Sequence, residues 1–398
     1  MDPGRLMRRA VLASALVLAA TAALAGGRDL SFAIGKALFE RAWVPAPSST
    51  RANDGLGPVF NARACNACHR GLDRALRRED GQGGFTHQGM VLKLSDARGR
   101  PDPAYGVQLQ TAAIPGFAPE GRIAMSDAGP FPVDLASGPL APQTRAGLRA
   151  APALRGLGLL AAVPEDEILS REDPEDRDGD GVSGRANRVV GPDGITRLGR
   201  FGLKASGATL AGQTGLAFAT DLGLSTADHR ALAGDCLSDA CRAGPHGGTA
   251  DEPEIRHDLV AMLADYLSRV PPPESAEGDP RGAALFAATG CAACHAPALR
   301  TPGGEVRAFT DLLLHDLGPQ LDGGATEPGV LPSEWRTAPL WGLSRALKAG
   351  TGLLHDGRAR GIAEAVALHG GEGDGARRRF RALSEADRAT LLRYVEGL

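Results

Sequence analysis

Aromatic side chains are scarce: 3 Trp, 3 Tyr and 11 Phe make up 4% of 398 residues. A core of that size with so few rings leaves room for a bulky group that is not protein. Methionine is as rare, at five, and six cysteines are too few for a disulfide-built scaffold. Excess positive charge is missing too; the formal net charge of −3 excludes a basic surface made to hold nucleic acid. Beyond Leu24 no apolar run is long enough to span a bilayer. What remains, 43% apolar and 23% charged, suits a folded chain of two domains and argues against disorder.

The chain opens with Arg5, Arg8 and Arg9, followed by the apolar run Ala10–Leu24 and then Ala23-Leu24-Ala25 before Gly26. A basic start, a short apolar stretch and small residues at a cleavage point read as an export signal over residues 1–25. The run falls short of the roughly 20 residues a membrane span needs. The expectation is a periplasmic protein, free of the membrane once cleaved, in a compartment where disulfides persist.

Four of the cysteines lie in two copies of one pattern, Cys65-Asn-Ala-Cys68-His69 and Cys291-Ala-Ala-Cys294-His295. In C-x-x-C-H both thiols add to the vinyl groups of a haem and the adjacent His reaches the iron. A zinc site or a redox dithiol would need partners this sequence lacks, and would leave the His unexplained both times. Two covalent c-type haems are therefore expected, with cofactor-binding residues Cys65, Cys68, His69, Cys291, Cys294 and His295. They also supply the flat apolar bodies that the aromatic count lacks. The remaining pair, Cys236 and Cys241, reads as a local disulfide.

Helical periodicity before the second motif and at the end of each half predicts a mainly α fold of tandem cytochrome-c-like haem domains. The first spans residues 28–270 and the second 279–398, with Pro271–Gly278 as linker. The first is enlarged by an insertion of short strands and loops between Met90 and Gly147. Within it, Asp176, Asp178 and Asp180 alternate before Gly181 like the start of a calcium loop, although Asn187 stands at the twelfth position where a Glu is usual.

No methionine lies in the second domain, so its haem lacks the usual His/Met pair. His369 is the distal candidate there, with His315 second. For the first haem the choices are His87, Met90 or an open iron.

The stretch Gly55–His69, together with Asp176–Arg185, Gly199–Ala205, Phe309–Gly318, Glu334–Gly342 and Leu354–Arg360, resembles the bacterial di-haem oxidoreductases, often labelled thiol oxidoreductases or peroxidases. They are related in turn to the di-haem cytochrome c peroxidases. The resemblance implies a six-coordinate C-terminal haem that stores an electron and an N-terminal haem that meets peroxide. It implies a small soluble electron donor, a cytochrome c or a cupredoxin, and hydrogen peroxide as substrate. His355-Asp356-Gly357 matches a shared stretch; the peroxidases place a Met ligand fourteen residues after that His, where this chain has His369. Bis-His ligation by His295 and His369, at lower potential, follows from that substitution. The peroxidases also carry a Trp between the haems and a Gln/Glu pair over the reactive one. No Trp stands just after the Arg149–Pro152 segment here, and Glu165 and Glu167 are the candidates for the acid, with His355 a further catalytic candidate. The competing readings are a non-catalytic di-haem electron-transfer cytochrome and an oxidase that modifies a partner protein.

Overall fold

A computed structural model of the chain describes residues 27, 29–75, 89–126, 129–232, 234–249, 251–276 and 278–398. The expected signal peptide and His87 lie outside the described residues.

Helix α1 covers residues 29–40. Strand β1 (Val59–Phe60) leads into α2 (Cys65–Cys68), and β2 (Met90–Ser95), β3 (Ala112–Ala113), β4 (Arg122–Ser126), β5 (Gly129–Val133) and β6 (Arg145–Ala150) follow. Next come α3 (Leu157–Ala161), α4 (Glu165–Leu169), β7 (Arg188–Val190), β8 (Thr196–Leu198), α5 (Leu210–Leu222), α6 (Asp239–Arg242) and α7 (His257–Arg269). Beyond the Pro-rich connector lie α8 (Pro280–Ala288), β9 (Leu299–Thr301), β10 (Gly304–Val306), β11 (Leu314–Asp316), β12 (Glu334–Arg336), α9 (Leu343–Ala349), α10 (Ile362–Leu368), α11 (Asp374–Ala382) and α12 (Glu385–Glu396).

The longer helices begin and end where side-chain chemistry dictates. Thr209 accepts the Gly212 N–H at 3.0 Å to start α5, and Gly223, at φ 69°, ends it in a conformation that glycine adopts freely. Asp279 caps α8 ahead of Pro280, and Ser384 caps α12 by accepting from Asp387. All strands of the described residues pair in twos, antiparallel: β1 with β3, β2 with β6, β4 with β5, β7 with β8, β9 with β10 and β11 with β12. The longest pair aligns Met90 with Ala150 and Ser95 with Arg145.

Three buried clusters position the site. Leu38 and Phe39 of α1, Phe218 and Leu222 of α5, and Val260 and Leu263 of α7 close around Cys65. Phe286 of α8, Phe309, Phe380 of α11 and Leu391 of α12 close around Cys291. Each such buried Leu or Phe contributes about 1.5–3 kcal/mol. That packing holds the four-residue helix α2, which is far too short to persist alone. In the third cluster Leu160 and Ile168 pack against Leu299 and Leu312, so residues on both sides of the connector share one core.

Among the described residues no helix is long and apolar enough to cross a membrane.

Candidate functional site

The first motif makes one helical turn, closed by the His69 N–H bonding to the Cys65 carbonyl at 3.0 Å. His69 then donates its Nδ1–H to the carbonyl of Pro152 at 2.8 Å. A carbonyl can only accept, so the proton belongs to Nδ1 and Nε2 keeps a lone pair for a metal. Burial holds His69 below its ordinary pKa, in the neutral form that ligation requires. Burial, reinforced by Asp221, pushes the Cys65 and Cys68 thiols up to about 12.

The second motif repeats this logic with different partners. His295 donates Nδ1–H to the carbonyl of Phe309 at 2.9 Å. Phe309 sits at φ 53°, an unusual place for a bulky residue, and is held there by edge-on contacts with Phe286 and Tyr394. On α10 the last turn delivers His369, whose Nδ1–H goes to the carbonyl of Ala365 at 2.7 Å. Burial, with a smaller contribution from nearby His369, lowers His295 to about 4; burial lowers His369 as well. Two neutral imidazoles, each with a free Nε2, thus line one cavity of about 770 Å³ together with Cys291 and Cys294. That volume lies within the roughly 300–1,000 Å³ typical of cofactor pockets. Pro152, whose carbonyl orients His69, forms part of the same wall, as does Trp341, which packs onto Gly156.

His315 is not available as a ligand. It donates Nδ1–H to Glu372 at 2.6 Å and Nε2–H to Asp311 at 2.8 Å, with the Cys294 sulfur 3.5 Å away. Burial opposes its charge, but bonds to Asp311, Cys294 and Glu372 outweigh that and raise its pKa well above 6.5. An imidazolium has no lone pair for iron, which corrects the expectation that His315 is second in line for the C-terminal haem. Met90 is fully buried in a cluster with Leu92, Tyr105 and Leu148.

The model of the family described as "di-haem oxidoreductase, putative peroxidase" matches residues 14–81 and 133–398. The chain belongs to the di-haem oxidoreductases. The family brings haem as cofactor and oxidation–reduction as chemistry, and the two Cys-Cys-His sets fit that group in donor type and in tautomer. No curated protein matches the chain. Among solved structures it is similar to hydrazine synthase from Kuenenia stuttgartiensis pressurised with xenon, at 18% identity and a TM-score of 0.26. The match covers 42% of this chain and 64% of that one.

In this di-haem oxidoreductase the proposed acids are placed elsewhere. Glu165 is exposed at the start of α4. Glu167 is 3% exposed and clamped between Arg171 at 2.9 Å and Arg300 at 2.7 Å. Those bonds outweigh burial and hold its carboxyl below the ordinary value. Neither lines the cavity of the second motif, and Glu167, held by two arginines, fastens α4 to β9. His355 does line the cavity. Its ring stacks on Trp335 at 3.9 Å and 6°, and burial followed by Arg149, Arg358, Lys204 and Arg74 keeps it well below its usual pKa.

Sequence reading passed over a buried glutamate, Glu120, that is tied to the main chain of Gln110. Glu120 accepts the backbone N–H of Gln110 at 2.9 Å and returns its own N–H to the Gln110 carbonyl at 2.9 Å. Burial raises the Glu120 carboxyl to about 8. Ile114 and Phe117, between the two, pack in the cluster that holds Cys65. The Gln110 amide nitrogen donates to Thr220 at 2.8 Å while its side-chain oxygen is buried without a partner. The signal that could have found them is a glutamine and a glutamate flanking an apolar loop, far from either cysteine motif.

The carboxylates of Asp176, Asp178 and Asp180 come within 4.8 Å of one another, an oxygen set suited to calcium. Asn187 does not join them; it is buried and donates to the carbonyls of Lys204 and Ala205. Cys236 and Cys241 form a disulfide with a Cα separation of 5.6 Å.

Proposed function

We propose that this chain is an exported, peroxidase-like c-type oxidoreductase that takes electrons from a small soluble donor at its C-terminal haem and uses them at its N-terminal haem to reduce hydrogen peroxide. The donor is a cytochrome c or a cupredoxin. The architecture this reading assumes is two cytochrome-c-like haem domains in tandem, the first enlarged. The observation that carries it is the pair of neutral imidazoles, His295 and His369, that line one cavity with Cys291 and Cys294. Bis-His ligation there makes an electron store, which leaves the N-terminal site for chemistry.

Bound haem supplies the iron that exchanges electrons and at which the peroxide bond is broken. His69, oriented by the Pro152 carbonyl, would hold the iron of the first haem through Nε2. Peroxide takes up two electrons and two protons and leaves as two waters, so a proton must be held and moved beside it. Glu120 is the group with a suitable pKa, and Gln110 holds it in place. Asp176, Asp178 and Asp180 bind calcium in this reading and stiffen the loop that leads to Ser183, whose N–H bonds Glu372 beside the second haem site.

The test is steady-state consumption of hydrogen peroxide by the holoprotein with reduced cytochrome c or cupredoxin as donor. Turnover that needs both haems supports the reading. Haem-loaded protein that leaves peroxide untouched in every redox state would assign it to electron transfer alone.

A further inference from the structure

Arg74 lines the cavity of the second motif although it stands only five residues after His69 of the first. Its Nη2 donates to the Leu354 carbonyl at 2.5 Å, while its Nε is buried and has no partner among the described residues. Asp356, the carboxylate whose charge it feels, is spent on Arg358 at 2.7 Å. A guanidinium remains charged at any physiological pH, so an unpaired one in a cavity wall carries a desolvation penalty until an anion arrives.

The other cations nearby are already committed. Arg155 and Arg345 pair with Asp73, and Arg336 donates to the carbonyls of Gly202 and Thr337. Arg149 and Lys204 spend their donors on backbone carbonyls and leave their positive charge uncompensated. Arg377 and Arg378, also in the cavity wall, pair with Asp374, and Arg379 donates to the Thr289 carbonyl. The neighbourhood is therefore electropositive, and among the described residues Arg74 is the cavity-lining guanidinium that has a buried Nε without a partner and no carboxylate paired to it. Haem is a dianion at its edge: two carboxylates lie opposite the vinyl groups that the cysteines take. A haem joined to Cys291 and Cys294 carries those carboxylates away from the thioether side.

We propose that Arg74 anchors a carboxylate of the haem carried by Cys291 and Cys294, so that the N-terminal half of the chain supplies a binding residue to the C-terminal cofactor. This rests on the reading that a c-type haem fills the cavity. The contact is a charge-assisted guanidinium–carboxylate pair, which fixes the haem in its plane and joins the two halves through the cofactor.

The experiment compares holoprotein with Arg74→Gln and Arg74→Lys. Haem content by pyridine haemochrome is measured first, then the midpoint potential of each haem by spectroelectrochemistry and the propionate bending band by resonance Raman. Removing a cation beside the haem favours the ferric state. In Arg74→Gln the low-spin haem should therefore become harder to reduce by at least tenfold in its equilibrium constant, about 59 mV. Arg74→Lys keeps the charge but loses the two-point contact, so its Raman band should move while its potential shifts less. Should Arg74→Gln fail to mature, the Raman band of Arg74→Lys decides. Unchanged potential and band, or a change confined to the N-terminal haem, overturns the proposal. Protein without covalent haem at Cys291 and Cys294 would instead refute the reading beneath it.

Discussion

His369 gives its Nδ1–H to the carbonyl of Ala365, one helical turn earlier, at 2.7 Å. His295 does the same with Phe309 at 2.9 Å, so α10 and the loop at Phe309 each fix the tautomer of a cavity-lining imidazole. Replacing His369 by Met should raise the midpoint potential of the C-terminal haem, because a thioether favours the ferrous state. Redox titration of His369→Met checks this, and an unchanged potential would remove His369 from the iron.

The triad Asp311–His315–Glu372 should act on stability. Removing Glu372 leaves a buried imidazolium with one partner, so Glu372→Gln should cost about 3–5 kcal/mol in chemical denaturation. The pH dependence has a definite sign. His315 is raised above 6.5, so its contribution is complete below that pH and fades as pH rises through the folded value. Glu372, held below 4.5, contributes above that pH and loses its effect as pH falls. The stability gap between the native protein and His315→Asn should be widest between pH 4.5 and 6.5 and narrow on the alkaline side.

Glu120 should dominate the pH profile of peroxide reduction. As the base that first accepts the peroxide proton it must be ionised, so the rate should rise as pH passes through about 8. Glu120→Gln should lose about 100-fold or more and abolish that limb. Stopped-flow rates across pH 6–9 test this on the half-reduced protein; a profile unchanged in the variant would place the proton elsewhere.

Calcium should stabilise the fold through Asp176, Asp178 and Asp180. Chelator-treated protein should gain about 2.7 kcal/mol when calcium reaches about 100 times its Kd. Asp178→Ala should remove the response without altering haem content. Differential scanning calorimetry with and without calcium measures both.

What the sequence disclosed and what it hid divide along one physical line. The Cys65–His69 and Cys291–His295 motifs were legible because their chemistry is local: one helical turn contains the whole attachment set. Cys236 and Cys241 were legible for the same reason, five positions apart in one loop. His369 was proposed from the lack of a methionine in the second domain and from the spacing in the resemblance, and the fold puts it in one cavity wall with His295. Glu167 was a candidate only because the resemblance asks for an acid near Arg149–Pro152; its salt bridge to Arg300, 133 positions away, could not be read from the sequence. His315 was misread because Glu372 lies 57 positions on, and only the fold brings that carboxylate to its ring. Gln110 and Glu120 escaped notice since nothing in their own segment says that the loop between them packs with Cys65. The clamp across the connector, with Leu160 against Leu299, could not be anticipated from a Pro-rich linker that marks a boundary in composition but not in packing.

The central claim is that one haem is held between two histidines while the other keeps a site for peroxide. EPR of the holoprotein, fully oxidised and after one-electron reduction, with and without hydrogen peroxide, tests it most directly. The account predicts a low-spin bis-His signal that is lost in His369→Ala, alongside a second haem whose high-spin signal vanishes on adding peroxide. Two low-spin haems that ignore peroxide in both redox states would contradict it.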